Sequence, residues 1–201
     1  MIIVKDNFLK DPYAVRNIAL KQKYEKGDFN YPGLRSFTVP DTIKEYILSQ
    51  IKHFANDHHL VLKDCSFQIV NQDFGEGIFH QDKCQYTCLI YLSPDPPVDS
   101  GTEVCDIDQT EDNIWDNARK IRFDHYADPR NLIKKYKYVR IRRKVNLHYN
   151  PILKLQNRFN RCVIFDGFAH HRAQKFFGTS VQDSRLTIAS FLWYESGQRY
   201  S

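Results

Sequence analysis

The sequence has no long hydrophobic run and no segment built like a secretory leader. No stretch approaches the roughly 20 apolar residues that a membrane-spanning helix needs. The apolar residues that follow Met1 are too few for the hydrophobic region of a signal peptide. We therefore expect a cytoplasmic, intracellular protein with no membrane partner.

The cysteines are few, odd in number and not arranged as metal knuckles. Five occur, and no two of them form a C-x-x-C pair. This spacing argues against a disulfide-stapled scaffold and favours reduced thiols inside a cell. It also gives no support to a knuckle-type zinc site. The cysteines are Cys65, Cys84, Cys88, Cys105 and Cys162.

Neither charge sign is in large excess. Lys and Arg number 29 against 24 Asp and Glu, so the net charge of +5 does not by itself indicate a nucleic-acid binder. Aromatic residues, by contrast, are plentiful. The 14 Phe and 12 Tyr among 201 residues are typical of a β-rich core. A chain of this length buries roughly 70% of its unfolded surface, so we expect one domain with a substantial core.

Two helix-like segments come first, and strand-like segments follow. The first helix begins at Asp11-Pro12, and the second has a capping box at Thr42 and Glu45 and should end near His58. Residues 23–39 between them have the composition of a loop. Strands are predicted near residues 1–5, 66–71, 87–93, 102–106, 161–166 and 186–194.

This order of elements predicts an α+β, mainly β protein. The expected architecture is a double-stranded β-helix (jelly roll, cupin-like) or a β-barrel, buttressed by N-terminal helices. We expect residues 1–201 to form a single domain. Its helical buttress should cover about residues 1–60. A charged insertion at about 107–150 breaks the strand pattern and does not resemble core.

His80 and Asp82 are the first candidate metal ligands. On a strand, His-x-Asp places an imidazole and a carboxylate on the same face, because side chains alternate with period two. A second imidazole from a distant strand would complete two His and one carboxylate. That set leaves three coordination positions open, as in non-haem Fe(II) oxygenases. Taken alone, the motif equally fits a loop histidine beside a solvated aspartate.

The third ligand is expected at His170 or His171. This pair follows a buried-type strand, over residues 162–166, at a turn. Adjacent residues on an extended chain face opposite ways, so only one of the two should reach the metal. The other histidines fit a helix surface or a solvated place in the insertion; they are His53, His58, His59, His125 and His148.

A zinc site at His80, Cys84 and Cys88 is the alternative for this segment. A spacing of four residues would align these side chains on a helix. The residues around Cys88 predict a strand instead, in which each interval of four spans roughly 13 Å and prevents joint ligation. We therefore interpret Cys88 as a small core residue.

Arg185, Thr187 and Tyr91 are candidates for binding a carboxylate. Arg185 and Thr187 are two apart on a predicted strand and share a face. A guanidinium and a hydroxyl together can bind a carboxylate, and Tyr91 on another strand would add a third hydrogen bond. The alternatives are a surface arginine at the start of a strand and an ordinary core or edge tyrosine.

Taken in order, these motifs resemble the Fe(II)/2-oxoglutarate-dependent oxygenases, and within them the prolyl-4-hydroxylase-like and small phage-type branches. In such proteins the distal histidine lies six residues beyond the Phe of an "N-R-apolar-F-D" strand. Counted from Phe165, this is His171, with His170 as fallback. The arginine follows that histidine by roughly ten to fifteen positions, and 185 − 171 = 14. The motifs are Val4-Lys-Asp-Asn-Phe-Leu-Lys-Asp-Pro12, Tyr31-Pro-Gly-Leu-Arg35, His80-Gln-Asp82, Ile90-Tyr-Leu-Ser93, Gly101-Thr-Glu103, Asn160-Arg-Cys-Val-Ile-Phe-Asp-Gly167, His171, Phe177-Gly178 and Ser184-Arg-Leu-Thr187.

The resemblance implies a dioxygenase that uses Fe(2+), 2-oxoglutarate and O2. Such enzymes convert 2-oxoglutarate to succinate and CO2 and hydroxylate a C–H bond of a second substrate, whose identity the motifs leave open. No catalytic side chain beyond the metal ligands is implied. The implied iron ligands are His80, Asp82 and His171, and the implied 2-oxoglutarate contacts are Arg185, Tyr91 and Thr187.

Three departures narrow the expected reaction. Residues 68–74 lack the Tyr that many relatives place there, so the contact to the C1 end of 2-oxoglutarate is unassigned. No second Arg follows Arg185 before Arg199, which argues against a nucleobase demethylase. Halogenating relatives replace the ligand carboxylate by a small residue, so Asp82 favours hydroxylation.

Residues 130–144 carry eight basic side chains and no acidic one. This segment could bind a phosphate backbone or an acidic partner, which would make the chain a non-catalytic β-helix module. A solvated flap or an edge strand guarded by charge is the interpretation that we favour over nucleic acid. A hydroxylase that acts on a protein or nucleic acid would unite the two interpretations.

Overall fold

The computed structural model describes residues 1–27, 30–105 and 112–195, and the side chains of this last range from residue 116 onward. In chain order its elements are β1 (Ile2–Lys5), α1 (Pro12–Leu20), β2 (Leu34–Ser36), α2 (Asp41–Ala55), β3 (Leu60–Val70), a 3-10 turn (Gln72–Phe74), β4 (Tyr86–Tyr91), β5 (Thr102–Cys105), α3 (Asp112–Ala127), α4 (Leu132–Asn146), β6 (Pro151–Leu155), β7 (Cys162–Asp166), β8 (His171–Ala173) and β9 (Arg185–Tyr194).

Within the described ranges the strands form two antiparallel sheets. The larger has the order β1-β7-β4-β9-β3-β2, and the smaller has the order β6-β5-β8. In the larger sheet β9 lies between β3 and β4, with Thr187 opposite Gln68 on one side and Tyr91 on the other. An isolated bridge between His80 and His171 joins the chain before β4 to the start of β8.

The two faces of the larger sheet are covered by different layers. One face packs against α1 and α2 in a core that contains Ile47, Phe67 and Ile188. The other face packs against the smaller sheet, where Phe165 of β7 and Val104 of β5 belong to one buried cluster. Sheet on sheet with helices outside is the predicted architecture, and the predicted mixed α+β, mainly antiparallel class is confirmed.

Some local predictions were wrong for identifiable reasons. The capping box does not form: α2 begins after Pro40, and no side chain caps it. The predicted loop at 23–39 contains β2, a three-residue strand too short to show alternation. His80 and Asp82 lie in an extended connection rather than on a strand, with only the His80 bridge paired.

The insertion is helical and buries an apolar stripe, contrary to the flap or edge strand expected at residues 130–144. Tyr138, Ile141 and Val145 of α4 recur at helical spacing and are buried. Together with Ala118 and Tyr126 of α3 they belong to a second apolar cluster, to which the chain between β3 and β4 also contributes. The high density of charge hid this narrow stripe from the sequence pattern.

None of the helices in the described part of the chain is both long and apolar enough to cross a bilayer.

Candidate functional site

Backbone hydrogen bonds bring three sequence-distant side chains together between the sheets. The amide of His80 donates to the carbonyl of His171 at 3.1 Å, and the amide of His171 donates back at 3.0 Å. The amide of Asp82 donates to the carbonyl of Gly167 at 2.8 Å, at the turn that follows β7. The connection before β4 is therefore held against the segment from β7 to β8.

His80, Asp82 and His171 form a group that can hold a metal ion. One ligand atom from each lies within 4.8 Å of the others. Nε2 of His171 is 3.1 Å from Oδ2 of Asp82, and Nε2 of His80 is 3.5 Å from Oδ1 of the same carboxylate. This is the two-histidine, one-carboxylate donor set whose open positions suit non-haem Fe(II).

The remaining polar atoms of this group fit metal binding. Nδ1 of His80 is 2.9 Å from the carbonyl oxygen of Ile78, and Nδ1 of His171 is 2.9 Å from that of Ala169. A carbonyl only accepts, so each Nδ1 carries a proton when the ring is neutral, and each Nε2 then presents a lone pair. Thr87 donates to Oδ2 of Asp82 at 2.6 Å and fixes the carboxylate.

The electrostatics of the group show how closely its members interact. Burial alone would raise the pKa of Asp82, but the imidazoles of His171 and His80 outweigh it and hold this pKa well below its usual range. Burial opposes protonation of His171, yet the carboxylate of Asp82 raises its pKa. The pKa of His80 is lowered, mainly by burial and by the positive charge of His171.

His170 lies beside this group and outside it. Its ring packs at a tilt against that of Tyr149 with 4.7 Å between centroids, and its buried Nδ1 has no hydrogen-bond partner among the described residues. His171, only 5% exposed, contributes the ring nitrogen that faces Asp82. The structure therefore places the two adjacent histidines in different environments, as the alternation of an extended chain requires.

Arg185 lies deep in the cavity that the three candidate ligands also line. This cavity has a volume of about 760 Å³. Arg185 is 4% exposed, and its Nε is 3.4 Å from the carbonyl oxygen of Ser100. Among the described residues no carboxylate forms an ion pair with it. A buried guanidinium without a counter-ion can accept an anionic group.

Tyr91 and Thr187 stand behind Arg185 rather than at the cavity surface. The Arg185 guanidinium is 5.4 Å from the centroid of the Tyr91 ring, and the Tyr91 hydroxyl is 2.8 Å from that of Thr102, which does line the cavity. Thr187, on the strand next to Tyr91, has a buried hydroxyl without a partner. Burial raises the pKa of Tyr91, so its hydroxyl stays protonated and can donate.

The cysteine alternative does not assemble. Sγ of Cys84 is 3.4 Å from the Thr87 hydroxyl, and Sγ of Cys88 is 3.4 Å from Sγ of Cys162 on β7. Each thiol is thus buried in a separate contact. Among the described residues, the one group of three His, Cys, Asp or Glu arranged for a metal contains no cysteine.

Several residues of the site were missed by the sequence analysis. Thr87 and Thr102 gave no signal, because a threonine on a strand usually marks only β propensity. Arg35 stood in a quoted motif without a role, and Arg119 and Arg122 of α3 also line the cavity. The basic segment 130–144 contributes none of the described lining residues; its Arg142 instead pairs with Glu76 at 3.3 Å.

A protein-family comparison matches nearly the whole chain. The model described as "Family of unknown function (DUF6445)" covers residues 1–192. No curated protein matches the chain.

Solved structures similar to the chain share its fold at low identity. A prolyl hydroxylase from Trichoplax adhaerens, in complex with a hypoxia inducible factor peptide fragment, has a TM-score of 0.60 at 12% identity over 98% of this chain and 84% of that one. HygX from Streptomyces hygroscopicus, with nickel and 2-oxoglutarate bound, has a TM-score of 0.61 at 10% identity over 96% of this chain and 83% of that one. The alpha ketoglutarate dependent epimerase SnoN from nogalamycin biosynthesis has a TM-score of 0.58 at 10% identity over 96% of this chain and 77% of that one. At this identity the likeness shows the fold, and it confirms the predicted double-stranded β-helix.

Proposed function

The chain belongs to the DUF6445 family, a family of unknown function, and we propose that it is an Fe(II)- and 2-oxoglutarate-dependent dioxygenase. The proposed reaction hydroxylates a C–H bond of a second substrate and releases succinate and CO2. A place in the prolyl-4-hydroxylase-like, small phage-type branch of these oxygenases is part of the same proposal. So is the assignment of His80, Asp82 and His171 as the iron ligands.

The observation that carries the proposal is the orientation of the two imidazoles. Both Nδ1 atoms are committed to backbone carbonyls, so both Nε2 atoms face the Asp82 carboxylate with their lone pairs available. Histidines that bind a metal usually donate their other ring N–H to a carbonyl or carboxylate, which fixes the tautomer and presents Nε2 to the ion. Bound iron would supply the activation of O2, and the protein would orient the reactants and limit water.

The proposed role of Arg185 is to hold the far carboxylate of 2-oxoglutarate. Its guanidinium is buried and has no ion-pair partner among the described residues, and the ring of Tyr91 lies beside it. Burial lowers the pKa of Arg185 and the Tyr91 hydroxyl opposes that effect, so an incoming carboxylate would meet a desolvated cation. Thr187 stays the predicted third contact: its buried hydroxyl has no partner in the described structure, although it is not among the residues that line the cavity.

Succinate formation tests the proposed function directly. Purified protein with Fe(II), 2-oxoglutarate and O2 is expected to release succinate slowly even without its second substrate. His80→Ala should abolish this release, because it removes one ligand and leaves Arg185 in place. Wild-type protein that forms no succinate, or a His80→Ala variant that forms as much, would contradict the proposal.

The competing function is a non-catalytic module that binds nucleic acid or an acidic partner through residues 130–144. It predicts a salt-sensitive shift of nucleic acid in a gel that survives Asp82→Ala and is lost when basic residues of α4 are neutralised. Succinate release that requires Asp82 favours the oxygenase.

A further inference from the structure

We propose that Arg35 and Arg122 form an anion-binding subsite at the substrate end of the cavity, where they hold a carboxylate or phosphate group of a small-molecule substrate. This inference rests on the proposed function, because it names the class of molecule that the oxygenase would act on. Arg35 comes from β2 and Arg122 from α3, so the subsite joins the edge of the larger sheet to the helical insertion.

The position of Arg35 separates it from the proposed 2-oxoglutarate contacts. Four residues form one row across the larger sheet: Arg35 is opposite Gln68, Gln68 is opposite Thr187, and Thr187 is opposite Tyr91. Opposed residues on neighbouring strands point to the same face. With neighbouring strands about 4.8 Å apart, Arg35 is roughly 14 Å from Tyr91 along this row. Arg35 and Tyr91 therefore stand at opposite ends of the row.

Arg35 is held in place by aromatic rings and has donor capacity to spare. Its guanidinium carbon is 4.0 Å from the ring centroid of Tyr31 and 5.6 Å from that of Phe191. Its buried Nε has no hydrogen-bond partner among the described residues. Arg35 lines the same cavity as the candidate metal ligands. Burial lowers its pKa, while Tyr31, Asp82 and Asp64 oppose that effect.

Arg122 has the same character. Its Nε is buried without a partner in the described structure, and it lines the same cavity. Arg119 lies one helical turn earlier on α3 and also lines the cavity, so two guanidinium groups come from the same helix face.

Most arginines that form ion pairs elsewhere in the described chain have their Nε satisfied; Arg142 also has a buried Nε without a partner, but its guanidinium pairs with Glu76. Nε of Arg172 is 2.7 Å from Glu103, Nε of Arg161 is 2.6 Å from Asp6, and Nε of Arg130 is 2.9 Å from Asp73. Buried polar groups are nearly always hydrogen-bonded, and exceptions call for an explanation. For Arg35 and Arg122 an incoming anion supplies the missing acceptor.

The net charge of the substrate end favours an anion. Apart from Asp82 and Arg185, the charged side chains that line the cavity in the described part of the chain are Arg35, Arg119, Arg122 and Lys83 against Asp64 and Asp116. Among these described side chains, four cations against two carboxylates leave an excess of two positive charges. Phe191, Trp193 and Tyr126 line the same space and offer apolar surface to the rest of the molecule. The cavity's 760 Å³ is in the range of small-molecule sites.

The test uses probes that differ only in charge. Benzoate, phenyl phosphate and the neutral benzamide are titrated by calorimetry into the full chain loaded with Mn(II) and 2-oxoglutarate, without O2. We expect at least one anion to bind and benzamide not to bind. Arg35→Gln and Arg122→Gln should each weaken the anion about tenfold or more, the effect of losing a charge-assisted hydrogen bond. Arg122→Lys should weaken it less, and Arg140→Gln, an exposed arginine of α4, should leave it unchanged.

The outcomes separate this inference from the proposed function. Preference for benzoate identifies a carboxylate substrate, and preference for phenyl phosphate identifies a phosphate ester. Equal binding of benzamide, no binding of either anion, or full anion affinity in Arg35→Gln and Arg122→Gln would overturn the subsite. The same variants are titrated with 2-oxoglutarate, which they should bind normally. If wild-type protein does not bind 2-oxoglutarate, this result contradicts the proposed oxygenase function instead. Arg185→Gln should weaken 2-oxoglutarate and spare the anion.

Discussion

The two sheets and the helical layer formed by α3 and α4 surround one cavity. The pKa of a buried imidazole is shifted in opposite directions in these two regions. In the sheets, His171 faces Asp82 and donates to a backbone carbonyl, and its pKa is raised. In the helical layer, His125 of α3 stacks on Tyr138 at 4.5 Å, and burial lowers its pKa to about 4. The sheets therefore hold a pre-arranged polar group, while the helices surround a neutral, apolar one.

The polar groups of the cavity also differ in whether they are satisfied before a ligand binds. Asp82 has Thr87, His80 and His171 around it, so the candidate metal group is already satisfied. Arg122 of α3 and Arg35 of β2 each have a buried Nε without a partner among the described residues. We infer that the sheets bind iron and 2-oxoglutarate, and that the helical insertion together with Arg35 at the sheet edge selects the substrate.

The largest expected effect separates two adjacent histidines. His171→Ala should weaken Fe(II) or Mn(II) binding by more than about 100-fold, because loss of a ligand exceeds the 10- to 100-fold effect of losing its supporting contacts. His170→Ala is the matched control and should keep metal affinity near that of the wild type. Calorimetric titration with Mn(II) measures both. Equal losses in the two variants would mean that the sheets do not form the metal site as assigned.

Next in size is the effect of Arg185 on 2-oxoglutarate. Arg185→Gln should raise the dissociation constant of 2-oxoglutarate about 100-fold, since it removes two charge-assisted hydrogen bonds from a buried carboxylate. Arg185→Lys keeps the charge without the planar fork and should recover only part of the affinity. Titration of 2-oxoglutarate into the Mn(II) protein gives the constants. An unchanged constant in Arg185→Gln would remove the co-substrate role.

Residues of the site could be predicted from the sequence where they belong to a short, recognisable motif, and could not where only the fold brings them together. His80 and Asp82 are two residues apart, and a recognisable strand leads to His171, so the sequence predicted the members of a group that does lie together. Arg122 lies in a helix whose apolar stripe is narrow and masked by charge, so nothing placed it near β2. The predicted capping box is absent because α2 begins at Asp41: Thr42 is already inside the helix, and Pro40 at the N-cap has no side-chain acceptor.

The helical layer, which contains His125, should make the protein less stable in acid. The pKa of His125 is lowered to about 4, against about 6.5 when unfolded, so the unfolded chain binds more protons between these values. Stability should therefore fall as pH falls through this window, by about 2 kcal/mol between pH 7 and pH 5. His125→Phe should remove this part of the loss, as measured by urea unfolding at both pH values. His148→Gln, at an exposed histidine, should keep the wild-type dependence, and a His125→Phe protein with that same dependence would contradict the account.

The smallest effect concerns the support of the carboxylate. Thr87→Val keeps the shape of the side chain and removes the hydroxyl that donates to Asp82 at 2.6 Å. Metal affinity should fall about tenfold, the lower end of the range for such supporting contacts. Thr38→Val, on the protein surface, is the control. If Thr87→Val binds Mn(II) as tightly as the wild type, the pre-arrangement of the sheets does not depend on this contact.

The central claim is that one cavity binds Fe(II) and 2-oxoglutarate together. Anaerobic titration of the protein with Fe(II) and then 2-oxoglutarate, followed by visible absorption, tests it most directly, because the charge-transfer band requires the two to be in contact. The account predicts a band in wild-type protein and in His170→Ala, and none in His171→Ala. No band in wild-type protein, or an undiminished band in His171→Ala, would contradict it.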